Sequence, residues 1–405
     1  MQQETFMLTA IHLQRYAQIL IWGLKTARME RFKKGDIVLI RYDMPALPLA
    51  EVVYTHLLEM GLNPVQRTSF SPRMEHDYYS LSNTKQLVFK TPGDEELFKA
   101  IHGSISLRAP ASITHLSDVR AEKIGKVAVA RKYLNDILDR REAQRKFGWT
   151  LCVYPTTELA RHAGLTEEEY SEQIINACSL KKTDPVAWWK NIYNDAQSIK
   201  KWLNSMKVIR YIIESEHVDL KVTPGLKRKW VGLSGHNIPS FELFLSPDWR
   251  GTEGTFYADQ PTYRSGNYVK GIRLLFKAGS VERASAEQGE EFLKKQIAMD
   301  NGANKLGEFS LTDKRFSKIS TFMANTLYDE NFGGKSGNCH VALGASYSDT
   351  FDGNAAELTP DKKKELGFND SALHWDLVNT ERKRVKAQLA SGKLVTIYED
   401  GKFAC

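Results

Sequence analysis

Lys34-Gly35-Asp36-Ile37-Val38-Leu39-Ile40 sets a turn directly before four consecutive aliphatic residues. A short apolar run bounded by a turn signal reads as a buried strand. From Pro48 to Met60 the apolar residues Leu49, Val52, Val53 and Leu57 recur at helical spacing, and Gly61-Leu62-Asn63-Pro64 stops that helix before the next extended run. Strand, helix and strand in this order make a βαβ unit. Outward from it the alternation continues with a helix from about Val119 to Arg141 and a buried strand over Trp149-Thr150-Leu151-Cys152-Val153-Tyr154. Such alternation predicts an α/β N-terminal domain with a mostly parallel sheet covered by helices. No GxGxxG follows the first strand, so a dinucleotide site would lack its phosphate-binding turn.

Thr166-Glu167-Glu168-Glu169 is a capping box opening a helix to about Cys178, and Asp184-Pro185 opens another to about Met206. The tryptophans of the second helix, Trp188, Trp189 and Trp202, read as packing residues. The pattern changes around Ser205 to Lys207, which divides the chain into domains 1–205 and 206–405. From Val208 onward short strands are broken by Gly, Pro and Asn, with one clear helix from Ala284 to Met299. This predicts an α+β C-terminal domain with a largely antiparallel sheet.

The 405 residues suffice for two hydrophobic cores, and 42% hydrophobic with 26% charged content is ordinary for a globular chain. No stretch reaches the roughly 18 uninterrupted apolar residues of a membrane span, and no signal-peptide pattern opens the chain. The four cysteines, Cys152, Cys178, Cys339 and Cys405, form no CxxC pair, so neither a disulfide framework nor a cysteine zinc site is indicated. These features predict a cytoplasmic protein with no membrane partner. The net charge of +7 would suit nucleic acid only if gathered on one face. It is scattered: Lys227-Arg228-Lys229 is short, and Arg382-Lys383-Arg384 falls in an expected amphipathic helix, so no nucleic-acid partner is expected.

Several enzyme signatures are absent. None of the ten histidines precedes a glutamate, which removes HExxH; Gly344-Ala345-Ser346-Tyr347-Ser348 lacks the last glycine of a nucleophile elbow; and Asp329 stands where a phosphate loop ending in Gly334-Lys335-Ser336 needs its first glycine. What remains is a set of polar intrusions into apolar runs: Glu242 in Phe241-Glu242-Leu243-Phe244, Glu308 in Leu306-Gly307-Glu308-Phe309, His340 in Cys339-His340-Val341-Ala342, and His374 with Asp376 in His374-Trp375-Asp376-Leu377. Buried carboxylates need partners, and a divalent cation is an efficient one. With Glu330 the set holds four negative charges, which two divalent cations would neutralise, and six side chains exceed the four-ligand need of one zinc. In a strand, His374 and Asp376 point to the same face.

The runs Asn237 to Phe244 with Ser246-Pro247-Asp248, then Gly307-Glu308, Asn325 to Asn331, Cys339 to Gly344 and His374-Trp375-Asp376, taken in this order, resemble the motifs of the thermophilic metallo-aminopeptidases, the aminopeptidase T and aminopeptidase S group. The resemblance implies an exopeptidase with two divalent ions, zinc, cobalt or manganese, whose ligands match Glu242, Glu308, Glu330, His340, His374 and Asp376. Glu308 would be a shared ligand that also handles the proton of the attacking water, and Tyr347 would donate to the oxyanion. The substrates implied are short peptides with a free N-terminus, and the assembly implied is a homodimer enclosing a cavity. Relative to that pattern, Phe332 to Gly337 lengthens the segment between Glu330 and His340. Another metallohydrolase on the same ligands, an amidase or phosphoesterase, and a non-catalytic binding protein are the alternatives. Metal content and hydrolysis of aminoacyl arylamides separate the three.

Overall fold

The computed structural model describes residues 8–28, 30–354 and 357–405. The chain divides into two compact units, one running to Trp189 and including Ser234–Pro239, the other made of Lys190–Leu233 and Ser240–Cys405. The division therefore falls earlier than the expected 205/206. The change of pattern near Ser205 marks the end of the helix Pro185–Asn204, and that helix itself runs across the division.

The first unit is built on a five-stranded parallel sheet in the order Asn63–Thr68, Ile37–Tyr42, Gly103–Arg108, Gly148–Val153, Asn237–Ile238. The aliphatic run earns its place beside the sheet centre: Val38, Leu39 and Ile40 are all buried. Helix Leu47–Glu59 makes the crossover between the first two strands in sequence. On one face Leu39 packs with Phe98, Ile101, Leu134, Ile137 and Phe147, the isoleucine and leucine at 137 and 134 coming from helix Ala121–Ala143. The capping box at Thr166 and Glu169 forms in both directions and opens helix Glu167–Ala177. Helix Ala10–Ala27 has no counterpart in the sequence reading; its Gly23 lies so close to Gly235 that a Cβ there would stand 2.7 Å from the Gly235 carbonyl oxygen. Trp189 is buried, with Trp22 and Trp188 ring centroids 6.0 and 5.3 Å away.

In the second unit every strand pairing is antiparallel among the described residues. An eight-stranded sheet and a hairpin, Thr262–Arg264 with Asn267–Val269, accompany a four-stranded sheet in the order His374–Asn379, Asn338–Gly344, Leu306–Thr312, Glu242–Leu245. Two local expectations are corrected. The helix expected over Ala284–Met299 spans Glu290–Ile297, because Ala284 and Ser285 finish strand Ser280–Ser285 against Ile272–Lys277 and Gly289, at φ +79°, breaks the chain before the helix. The helix expected around Arg382-Lys383-Arg384 is absent, since exposure alternates there with the period of a strand and Arg384 opens strand Arg384–Leu389. Arg382 and Arg384 pair with Asp400 and Glu399, while Lys383 is buried with its amine on the Glu381 carbonyl and its pKa pushed down to about 8 by burial. Among the described residues, no helix is long and apolar enough to cross a membrane.

Candidate metal centre

Strand period and register decide what the four-stranded sheet can present. Thr312 stands opposite Glu242, Ser310 opposite His340, Ala342 opposite both Glu308 and Asp376, and Gly344 opposite His374. Cross-strand neighbours share a face, so Glu242, Glu308, His340, His374 and Asp376 all emerge on one side. The other side carries Leu243, Leu245, Phe309, Leu311, Val341, Leu343 and Leu377, all buried. An alternation that places carboxylates and imidazoles on one face therefore coexists with an apolar packing face on the same four strands.

Small residues make room for the charged ones. Ala342 lies between Glu308 and Asp376 in the register, and no side chain projects from Gly344 beside His374. The pairing of Leu306–Thr312 with Asn338–Gly344 shifts register between Leu306 and Glu308, a bulge that lets Gly307 approach closely: a Cβ there would meet the Ala345 oxygen at 2.3 Å.

His340 is the hub. Its Nε2 lies 3.1 Å from Glu308 Oε1, 3.2 Å from Glu242 Oε2 and 4.0 Å from Asp376 Oδ1. Glu242, Glu308 and His340 each offer a ligand atom within 4.8 Å of the others, and all three are buried. His374 Nε2 lies 3.4 Å from Asp376 Oδ1 and 3.8 Å from Glu308 Oε2. Its Nδ1 is 2.9 Å from the Ala345 carbonyl. A carbonyl only accepts, so the ring donates from Nδ1, and in the neutral imidazole Nε2 keeps its lone pair toward the carboxylates.

Glu330 reaches the same region from outside the sheet. It follows the short helix Thr326–Asp329, and its carbonyl accepts from Thr312 Oγ1 at 3.0 Å and Asn338 Nδ2 at 2.9 Å, both on the site face. The segment between Glu330 and His340 is pinned at Gly333 and Gly334, whose amides donate to the Ile319 carbonyl. Tyr347 lies over His374, ring centroids 4.6 Å apart, and remains 46% exposed.

The electrostatics follow from crowding acids in a buried place. Burial, with Glu308 and Asp376 nearby, raises Glu242 to about 8 against the pull of His340, and Glu330 is raised well above its ordinary value by burial and by Glu242, Asp376 and Glu308. Burial opposes charge on both imidazoles, yet the surrounding carboxylates bring His340 and His374 to about 9. Asp376 goes the other way, to about 2, because His374 and His340 outweigh the cost of its burial. Desolvation of the phenol and the carboxylates of Glu308, Asp376, Glu330 and Glu242 keep Tyr347 protonated.

Sequence reasoning missed the supports. Ser310, whose hydroxyl donates to Glu242 Oε2 at 3.0 Å, and the carbonyl props Thr312 and Asn338 carry the even-numbered parity of the site face, which is the signal that could have found them.

The chain matches the thermophilic metalloprotease (M29) family over residues 9–403 and belongs to that family. It is similar to aminopeptidase AmpS of Bacillus subtilis, 28% identical over 273 residues covering 64% of this chain and 63% of that protein. Aminopeptidase 2 of Geobacillus stearothermophilus is 30% identical over 274 residues, 63% of this chain and 65% of that protein, and aminopeptidase T of Thermus aquaticus is 28% identical over 272 residues, 63% of each. The matched stretch thus spans just under two thirds of each relative's length. The solved structure of wild-type AmpT from Thermus thermophilus shares the fold with a TM-score of 0.79 at 21% identity, over 97% of this chain and 99% of that one.

Membership implies a divalent metal, and the donor set fits one. Hard carboxylates with imidazole nitrogens are the ligands such ions take, and His374 already has its second nitrogen on a backbone carbonyl, the arrangement that orients a metal-binding ring.

Proposed function

We propose that this chain is a dinuclear metal-dependent aminopeptidase that removes N-terminal residues from short peptides. The observation that carries the reading is the approach of Glu242, Glu308 and Asp376 to His340 Nε2 on one face of the four-stranded sheet, with His374 beside Glu308 and Asp376. Held by Glu242, Glu308, Glu330, His340, His374 and Asp376, two ions of zinc, cobalt or manganese would polarise the scissile carbonyl, activate water and anchor the free amine. The chain's own groups do the rest. Glu308 divides its oxygens between His340 and His374, at 3.1 and 3.8 Å, which suits a shared ligand and an acceptor for the water's proton. Tyr347, protonated and partly open to solvent, is the donor to the oxyanion. The free thiols accord with a cytoplasmic location, and the likeness to the aminopeptidase T and S group supports a homodimer.

Tyr347→Phe keeps the ring on His374 and removes only the hydroxyl. It is expected to leave metal content unchanged and lower turnover by about a hundredfold or more. Normal turnover would make Tyr347 a packing residue.

The activity itself is tested with one tetrapeptide in free and N-acetylated forms, followed by mass spectrometry. The free peptide should lose residues from its N-terminus and the acetylated one should remain intact, since acetylation caps the amine that bound metal ions would anchor. Equal hydrolysis, or internal cuts first, would favour the amidase or an endopeptidase.

A further inference from the structure

Among the described residues, the strand His374–Asn379 lies at the edge of its sheet, paired with Asn338–Gly344 on one side. Its outer side would expose backbone groups to water, yet the segment 257–264 runs along it. Asn379 Nδ2 donates to the Tyr257 carbonyl at 2.9 Å, Thr380 N to Asp259 Oδ1 at 2.7 Å, the Gln260 amide to the Val378 carbonyl at 3.3 Å, and Trp375 Nε1 to Thr262 Oγ1 at 3.3 Å. The last tie is Arg264, whose Nη1 donates to the His374 carbonyl at 2.9 Å.

Arg264 is placed with care. It is half-buried, its Nε donates to Gln296 Oε1 at 3.2 Å on the helix Glu290–Ile297, and its guanidinium lies 5.6 Å from the centroid of the Trp375 ring. The side chain of the residue between the two expected ligands of this strand is therefore braced by the same cation that holds the carbonyl of the first. The positive charge also acts on Asp376.

We propose that Arg264 is a positioning residue for the metal centre: by fixing the His374 carbonyl and the edge of its strand, it sets the spacing of His374 and Asp376. The inference rests on the reading of those two side chains as ligands. A guanidinium suits the task because its planar fork can satisfy Gln296 and a carbonyl at once, which an ammonium cannot do in the same geometry. Groups that orient ligands without touching the ion typically account for about ten- to a hundredfold in metal affinity.

The test uses the full chain freed of metal and titrated with cobalt(II), read by calorimetry and by the visible absorption of the bound ion. Arg264→Ala should bind cobalt(II) about ten- to a hundredfold more weakly, with a changed absorption envelope, while the thermal transition of the metal-free protein stays close to wild type. Arg264→Lys should recover part of the affinity by restoring one donor and the charge. Wild-type affinity and spectrum in Arg264→Ala would overturn the proposal. Should that variant fail to fold, Gln296→Ala removes only the brace on Nε: a several-fold loss supports the assignment and unchanged affinity overturns it. A wild-type chain that takes up no cobalt(II) would instead sink the metal reading of the site, a result distinguishable from a variant that binds as well as wild type.

Discussion

His340→Ala is expected to lose bound metal and to hydrolyse aminoacyl arylamides more than about a hundredfold more slowly than wild type, beyond the upper end of what losing an outer partner of a metal site costs. The reason lies in its position. The ring is fully buried and its Nε2 approaches Glu242, Glu308 and Asp376 at 3.2, 3.1 and 4.0 Å. Deleting it removes one donor and leaves crowded carboxylates to repel one another. Elemental analysis should find two ions per wild-type chain under saturating, chelator-free conditions and fewer in the variant. No more than one ion in wild type would end the dinuclear reading, and a variant with full metal content would remove His340 from the ligand set.

Gly344→Ala should damage both the fold and the site. Gly344 has φ +104°, and a Cβ there would stand 2.1 Å from the Leu373 carbonyl oxygen and 2.6 Å from its carbon. The backbone conformation alone costs an alanine about 1–3 kcal/mol, and forcing an extra methyl into packed structure typically about as much again. Because the obstacle is backbone, relief requires the His374 strand to move, so metal affinity should fall along with stability. Gly392→Ala is the control: φ is +84° but nothing lies within 4 Å of the added carbon. Chemical denaturation of both variants separates the two contributions, and equal losses would mean that the collision at position 344 is relieved without cost.

The parts of the fold set by short-range chemistry were legible in the sequence. Four aliphatic residues after Lys34-Gly35-Asp36 mark a buried strand whatever surrounds them, and the Thr166–Glu169 capping box satisfies its own backbone groups locally. Readings failed where distant pairing overrides local pattern. Ala284 and Ser285 suit a helix until strand Ile272–Lys277 recruits them, and Arg382-Lys383-Arg384 resembles a solvated helical face until sheet pairing buries Lys383. At the site, apolar runs interrupted by carboxylate or imidazole picked out Glu242, Glu308, His340, His374 and Asp376 as candidates. Their common face depends on cross-strand register and on the shift at Gly307, neither of which one strand's sequence contains. Arg264 sits in a hairpin with no apolar pattern for it to interrupt, and only the tertiary contact with the His374 carbonyl singles it out.

The discontinuity of the first unit bears on how the chain is made. Its fifth strand, Asn237–Ile238, is translated only after Lys190–Leu233, which belong to the second unit. Until then Gly148–Val153 is an open edge, and the Leu151 amide lacks the His236 carbonyl to which it donates at 2.7 Å. During synthesis, or in a fragment cut at residue 189, that edge is free to recruit a strand from another chain. The six residues Ser234–Pro239 thus complete the sheet of the first unit only after a stretch of the second has been made.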